Sequence, residues 1–235
     1  MMRAMKTISA ALILTFAAAS AAGAAPPEFQ FGLAFNPSLP QGGFHDVLGR
    51  TIWGGSFQFA FRPSGSPVLL GTSLGFGIYG SDSWQDWLGV LDPDVLVDIR
   101  TTNAVLAWSV FLRLQPSRGL VRPYLDLFAG LHLLTTDTRI GDGDRDDDGS
   151  GGFSVNNASD TAFAIGAGAG VMLPVVRFVH RDGRLAASIN LDLGVRYAAG
   201  GRADYLVKTD RHGVFDERTS RTDLLTLNAG LSCCF

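Results

Sequence analysis

An all-β chain, folded as an eight-stranded antiparallel up-and-down transmembrane β-barrel, is predicted by three features of the sequence. Apolar residues alternate with small or polar ones, with period two, in eight separate stretches. Tight Pro/Gly turns and longer polar loops join those stretches in alternation. Beyond the amino-terminal segment, no run approaches the ~18 consecutive apolar residues of a membrane helix, although 46% of the residues are hydrophobic. Successive strand side chains point to opposite faces. Strands that are greasy on one face and wet on the other suit lipid outside and a polar lumen inside.

Residues 1–25 read as a secretory signal peptide: basic Arg3 and Lys6, an apolar core from Ile8 to Ala19, and the small residues Ala22-Gly23-Ala24. Residues 26–235 are then one barrel domain. Without Arg3 and Lys6, 17 basic residues face 22 acidic ones, a net charge of −5. That balance argues against nucleic acid as a partner. Cys233 and Cys234 are adjacent and point to opposite sides of a strand, so they read as packing residues rather than a bridge or a metal site.

The first strand, Glu28 to Asn36, sets Phe29, Phe31, Leu33 and Phe35 against Glu28, Gln30, Gly32 and Ala34. After a Pro/Gly-rich loop, Trp53 to Arg62 repeats the pattern with Trp53, Phe57, Phe59 and Phe61. Pro63-Ser64-Gly65-Ser66 is a tight turn. The third strand, Val68 to Tyr79, turns Leu70, Leu74, Phe76 and Ile78 outward and Gly71, Ser73, Gly75 and Gly77 inward. A loop from Gly80 to about Ile99 precedes the fourth strand, about Thr102 to Gln115, with Leu106, Trp108, Val110 and Leu112 outward. A turn around Pro116-Ser117-Arg118-Gly119 leads to the fifth, Tyr124 to Thr135, whose outward set is Leu125, Leu127, Ala129, Leu131 and Leu133.

An acidic loop then runs from Thr136 to about Ser159. The sixth strand, Thr161 to about Leu173, opposes Phe163, Ile165 and Val171 to Gly166, Gly168 and Gly170, and is expected to bulge past Pro174 toward His180. Arg181-Asp182-Gly183-Arg184 is a hairpin turn. The seventh strand, Leu185 to Tyr197, is followed by a loop from Ala198 to Arg221. The eighth, Asp223 to Phe235, shows Leu225, Leu227, Ala229, Leu231, Cys233 and Phe235 on its greasy face and ends on an aromatic residue. Short turns belong on the periplasmic side of such barrels and long loops outside. Phe29, Phe61 and Phe235 then mark the periplasmic edge, and Phe35, Trp53 and Tyr197 the outer one.

Three stretches carry a resemblance to a known family: the terminal strand ending at Phe235, Arg122-Pro123-Tyr124-Leu125-Asp126-Leu127-Phe128-Ala129-Gly130, and Ile165-Gly166-Ala167-Gly168-Ala169-Gly170-Val171. They resemble the small outer-membrane β-barrel proteins of the OmpA-transmembrane, OmpX and OmpW type. The resemblance implies residence in the outer membrane as a multi-pass barrel. It also implies contact with outer-membrane lipids and lipopolysaccharide, and use of the barrel-assembly machinery during biogenesis. Unlike full-length OmpA, no peptidoglycan-binding domain is expected after the barrel.

The inward register collects Glu28, Arg62, Arg113, Asp126, Asp192 and Arg196. Counting across the turns places Arg113 opposite Asp126 and Glu28 level with Arg62, so lumen ion pairs are expected to fill and neutralise a narrow interior. The inward glycines on the third and sixth strands leave an alternative open. They either make room for Tyr79, Phe111, Tyr124, Phe128 and the arginines, or they line a path or cavity for a small apolar ligand, as in OmpW-like proteins. Asp144, Asp146 and Asp148, followed by Gly149, match the core of a calcium loop, but Val155 stands where a bidentate acid is needed. The two readings there are a weak calcium site and a solvated acidic loop; no other cofactor is expected. An enzyme of the lipid A-modifying type would need a serine, a histidine and an acid at one rim. His132 is followed by Leu133-Leu134 rather than by the His-x-Ser pair of the deacylases, and His45 and His212 fall in loops. The chain is therefore expected to be non-enzymatic, with a structural or surface-interaction role.

Overall fold

The computed structural model describes residues 28–87, 96–142, 153–179, 185–208 and 215–235. The amino-terminal segment read as a signal peptide and the acidic residues Asp144, Asp146 and Asp148 lie outside the described residues, as do His180 and His212. In chain order the elements are β1 (Glu28–Phe35), β2 (Ser38–Pro40), helix α1 (Gly43–Leu48), β3 (Trp53–Arg62), β4 (Val68–Trp87) and β5 (Leu96–Leu114). They continue with β6 (Arg122–Asp142), β7 (Phe153–Val179), β8 (Leu185–Gly200), β9 (Arg202–Lys208), β10 (Phe215–Arg221) and β11 (Leu224–Cys234).

Eight strands make the wall, in the order β1-β3-β4-β5-β6-β7-β8-β11, every neighbouring pair antiparallel, and β11 returns to pair with β1. The closing seam pairs Gln30 with Cys234 through Phe35 with Ala229. Closure leaves the eight-stranded wall without an open edge, which a hydrocarbon environment demands because no water is there to satisfy one. The amphipathicity is inside-out. Leu33, Phe57 and Leu127 are 58%, 57% and 64% exposed, whereas Arg62 and Arg113 are 0% and 1% exposed. Leucines on the outside and arginines within suit an apolar surrounding and a polar interior.

The aromatic rings sort by height as expected. Phe29 packs on Phe61 and Phe235 with ring centroids 5.1 and 6.1 Å apart, and Phe35 stacks on Trp53 at 5.8 Å. The turn after β3 closes with the Ser66 amide donating to the Pro63 carbonyl at 3.1 Å and Gly65 at φ 71°. A residue with a Cβ rarely adopts that conformation. The β7–β8 register shifts between Pro174 and Val176, where proline has no N–H to give the ladder.

The loops depart from expectation. The stretch from Gly80 to Ile99 extends a ribbon: β4 runs on to Trp87 and pairs with β5 from Leu96. Likewise β6 continues to Asp142 and β7 starts at Phe153, inside the expected acidic loop. Register shifts mark the places where the wall gives way to these ribbons, between Ile78 and Gly80 and between Thr136 and Asp137. Beyond those points polar residues occupy both parities of the sequence, so alternation stops while backbone pairing continues. The stretch from Ala198 to Arg221 holds the two-stranded sheet β9–β10. In the first loop, β2 pairs with β11 at Leu224–Thr226, and α1 follows it.

Candidate functional site

The lumen is the site to which the strands deliver their polar side chains, and it is built in tiers. At the end of the barrel closed by the short turns, Arg62 donates to the Gln115 backbone carbonyl at 2.8 Å and to its side-chain oxygen at 3.1 Å, and its Nε lies 3.2 Å from Glu28. Arg122 approaches the other Glu28 oxygen at 3.3 Å and donates to Asn190 at 2.8 Å. Gln30 and Gln115 both donate to the buried Met172 sulfur, at 3.3 and 2.9 Å. Each group arrives by strand parity: Glu28 and Arg62 are directly paired, as are Asn190 and Ser232.

One tier higher lies the charged layer. Arg113 donates through Nε and Nη2 to the two Asp126 oxygens at 2.8 and 2.9 Å, a bidentate pair with both residues 1% exposed. Arg196, across the lumen on β8, donates to the same Asp126 carboxylate at 2.9 Å. Asp192 accepts from the Tyr124 hydroxyl at 2.7 Å and lies 3.8 Å from Arg113. Rings complete the layer: the Arg113 guanidinium is 3.9 Å from the centre of Tyr124, and that of Arg196 is 5.2 and 5.1 Å from Phe111 and Phe128. Two guanidinium and two carboxylate groups are thus enclosed together and hydrogen-bonded. Buried charge is tolerated only on those terms. Planar guanidinium suits both the bidentate bond and the ring faces, so lysine would not replace arginine here.

The inward glycines of β4 and β7 have a definite use. A Cβ on Gly71 would lie 2.4 Å from the Phe111 ring, one on Gly166 2.4 Å from Phe128, and one on Gly170 2.4 Å from Tyr124. Gly71, Gly166 and Gly170 are where the rings of the charged layer rest, so the space expected of them is already filled, whereas Gly75 and Gly77 line a cavity.

Above the layer the lining changes to small residues: Ser56, Ser73, Gly75, Ala107, Ser109 and Gly130 help to surround a cavity of about 110 Å³, with Arg196 and Phe128 also in its wall. His132, 6% exposed, faces it, and among the described residues its Nδ1 has no hydrogen-bond partner. Ser56 Oγ is also buried without a partner, while Asn36 donates to Asn228. Ile52, Val105, Ala198 and Leu224 add apolar wall to the cavity and belong to one buried apolar cluster with Phe44 of α1, Leu134, Ala162 and Ala203.

The sequence-expected lumen charges Glu28, Arg62, Arg113, Asp126, Asp192 and Arg196 all face inward. Arg122 falls before the expected start of the fifth strand, yet it shares the even parity of Tyr124 and Asp126, and that parity places it in the lumen. Gly75 and Gly77, two of the inward glycines for which a cavity was the alternative reading, line this chamber; the serines and His132 were not expected beside them, because serine, glycine and alanine spaced by two carry no chemical signature of their own.

No family model matches this chain, and no curated protein matches it either. Among solved structures it is similar to Neisserial surface protein A, at 13% identity over 90% of this chain and 97% of that one, with a TM-score of 0.37. It is similar to Ail, the attachment invasion locus protein of Yersinia pestis, at 14% identity over 89% and 97%, TM-score 0.40. A major outer membrane protein from Thermus thermophilus matches at 16% identity over 90% and 100%, TM-score 0.39.

Proposed function

We propose that the protein is an integral outer-membrane β-barrel with a structural or surface-interaction role and a lumen plugged by its own charge-paired side chains. The observation that carries this reading is the layer of Arg113, Asp126, Arg196 and Asp192, hydrogen-bonded from β5 and β6 across to β8 and flanked by aromatic rings. A barrel of eight strands is just wide enough for side chains to fill. The apolar belt suits outer-membrane lipid, and lipopolysaccharide and the assembly machinery are the partners such a barrel would meet.

The alternative, a narrow channel or binder for a small apolar molecule, has less support, since Phe111, Phe128 and Tyr124 lie over Gly71, Gly166 and Gly170. A lipid A-modifying enzyme is likewise disfavoured: His132 shares its chamber with serines, but no carboxylate lines that chamber among the described residues. Calcium binding at Asp144, Asp146 and Asp148 rests on sequence alone. A melting curve with and without millimolar calcium tests it, and an unchanged midpoint would end it.

Recording the refolded full chain in planar bilayers tests the main reading. Folded barrels are expected to insert without discrete conductance steps. Steady, reproducible steps from the wild-type chain would favour the channel instead.

A further inference from the structure

Several features of the upper chamber have no role in the plug below it. Polar groups that are buried without partners are expensive, and a native fold normally satisfies them. Here His132 Nδ1 and Ser56 Oγ, both able to donate to an anion, belong to residues lining one cavity, both less than a tenth exposed, and neither atom has a partner among the described residues. Two such atoms around a single void point to an occupant rather than to two separate packing faults. The cavity has room for one, since about 10–15 Å³ by this measure already holds a water and it offers about 110 Å³.

The charge of the wall narrows the chemistry. Arg196 is the one permanently ionised side chain among the described residues lining the cavity, and no aspartate or glutamate joins it there. Its guanidinium has five N–H groups, and among the described residues only Asp126, through Nη2, receives a hydrogen bond from it. Ser56, Ser73 and Ser109 add hydroxyl donors from β3, β4 and β5. We propose that this chamber binds a small oxyanion of carboxylate size, held by Arg196 and the serine hydroxyls, with His132 donating from the wall formed by β6.

The test uses the full chain refolded in detergent micelles, with acetate as probe and acetamide as its uncharged isostere at equal ionic strength, reading the His132 imidazole resonances by NMR. Acetate should shift them saturably and acetamide should not. Arg196→Gln should weaken acetate binding by about tenfold or more, the loss of a charge-assisted bond. Because Arg196 also bonds Asp126, a second variant keeps the test clear of misfolding. A Cβ on Gly75 would lie 3.7 Å from Ser56 Cβ and 3.8 Å from Ala107 Cβ, so Gly75→Val fills the void without a wall clash at its Cβ. It should fold as the wild type does and lose the acetate response. Equal responses to acetate and acetamide, a linear response without saturation, or full binding by Gly75→Val would each overturn the proposal.

Discussion

The two halves of the lumen are built from opposite materials on the same strands. Toward the short turns, β5 and β6 contribute Arg113, Tyr124 and Asp126, long side chains that meet at the centre and bond to one another. Toward the long ribbons, the same two strands contribute Ala107, Ser109, Gly130 and His132, which stop short and enclose a void. Strand geometry is common to both halves, so the difference lies wholly in side-chain reach. One half is held together by electrostatics in a dry setting, where removing a partner strands a charge. The other leaves room at Gly75, where an added Cβ meets nothing closer than 3.7 Å.

The comparison is broken most severely at Asp126. Asp126→Ala leaves the Arg113 and Arg196 guanidinium groups enclosed without their shared carboxylate, and should cost about 3–5 kcal/mol in denaturant unfolding followed by tryptophan fluorescence in lipid vesicles. Ser56→Ala, in the other half, should change the same midpoint little. Next in size is a steric contrast. A Cβ on Gly166 would meet the Tyr197 carbonyl at 2.1 Å and the Phe128 ring at 2.4 Å, so Gly166→Ala should cost about 1–3 kcal/mol by overpacking. Gly75→Ala finds its nearest atoms at 3.7 and 3.8 Å and should be close to neutral in the same experiment.

A comparable or smaller loss is expected at the short-turn end of the barrel. Glu28→Gln keeps the shape but removes the charge facing Arg62 and Arg122, at a cost of about 1–2 kcal/mol. The smallest effect belongs outside the lumen. The Arg221–Asp223 pair at 3.6 Å, with Arg221 largely in solvent, should contribute less than about 1 kcal/mol, and Arg221→Ala should barely move the midpoint.

These contrasts also explain what could be read in advance. Period-two alternation survives wherever one strand face meets an apolar exterior and the other the lumen, so Phe29 through Phe35 and Leu125 through Leu133 announced their faces directly. Cross-turn counting aligned Glu28 with Arg62 and Arg113 with Asp126, because hairpin register is fixed by the turn. It could not foresee Arg196 reaching across to Asp126, a contact between β8 and β6 that no hairpin encodes. Ser81-Asp82-Ser83 reads as a loop because an unbroken polar run hides a ribbon that backbone pairing sustains. The burial of Phe44 was equally hidden, since a six-residue helix has no periodicity to display.

Whether the charged layer is one coupled unit decides between a plugged lumen and a merely lined one, and a double-mutant cycle at Arg113 and Asp126 measures it directly. Unfolding of Arg113→Met, Asp126→Leu and the double variant in vesicles should show the double variant far more stable than the two single losses sum to, by about 2 kcal/mol or more. Additivity within about 0.5 kcal/mol would mean that the two groups act independently, and would contradict a lumen closed by mutual pairing.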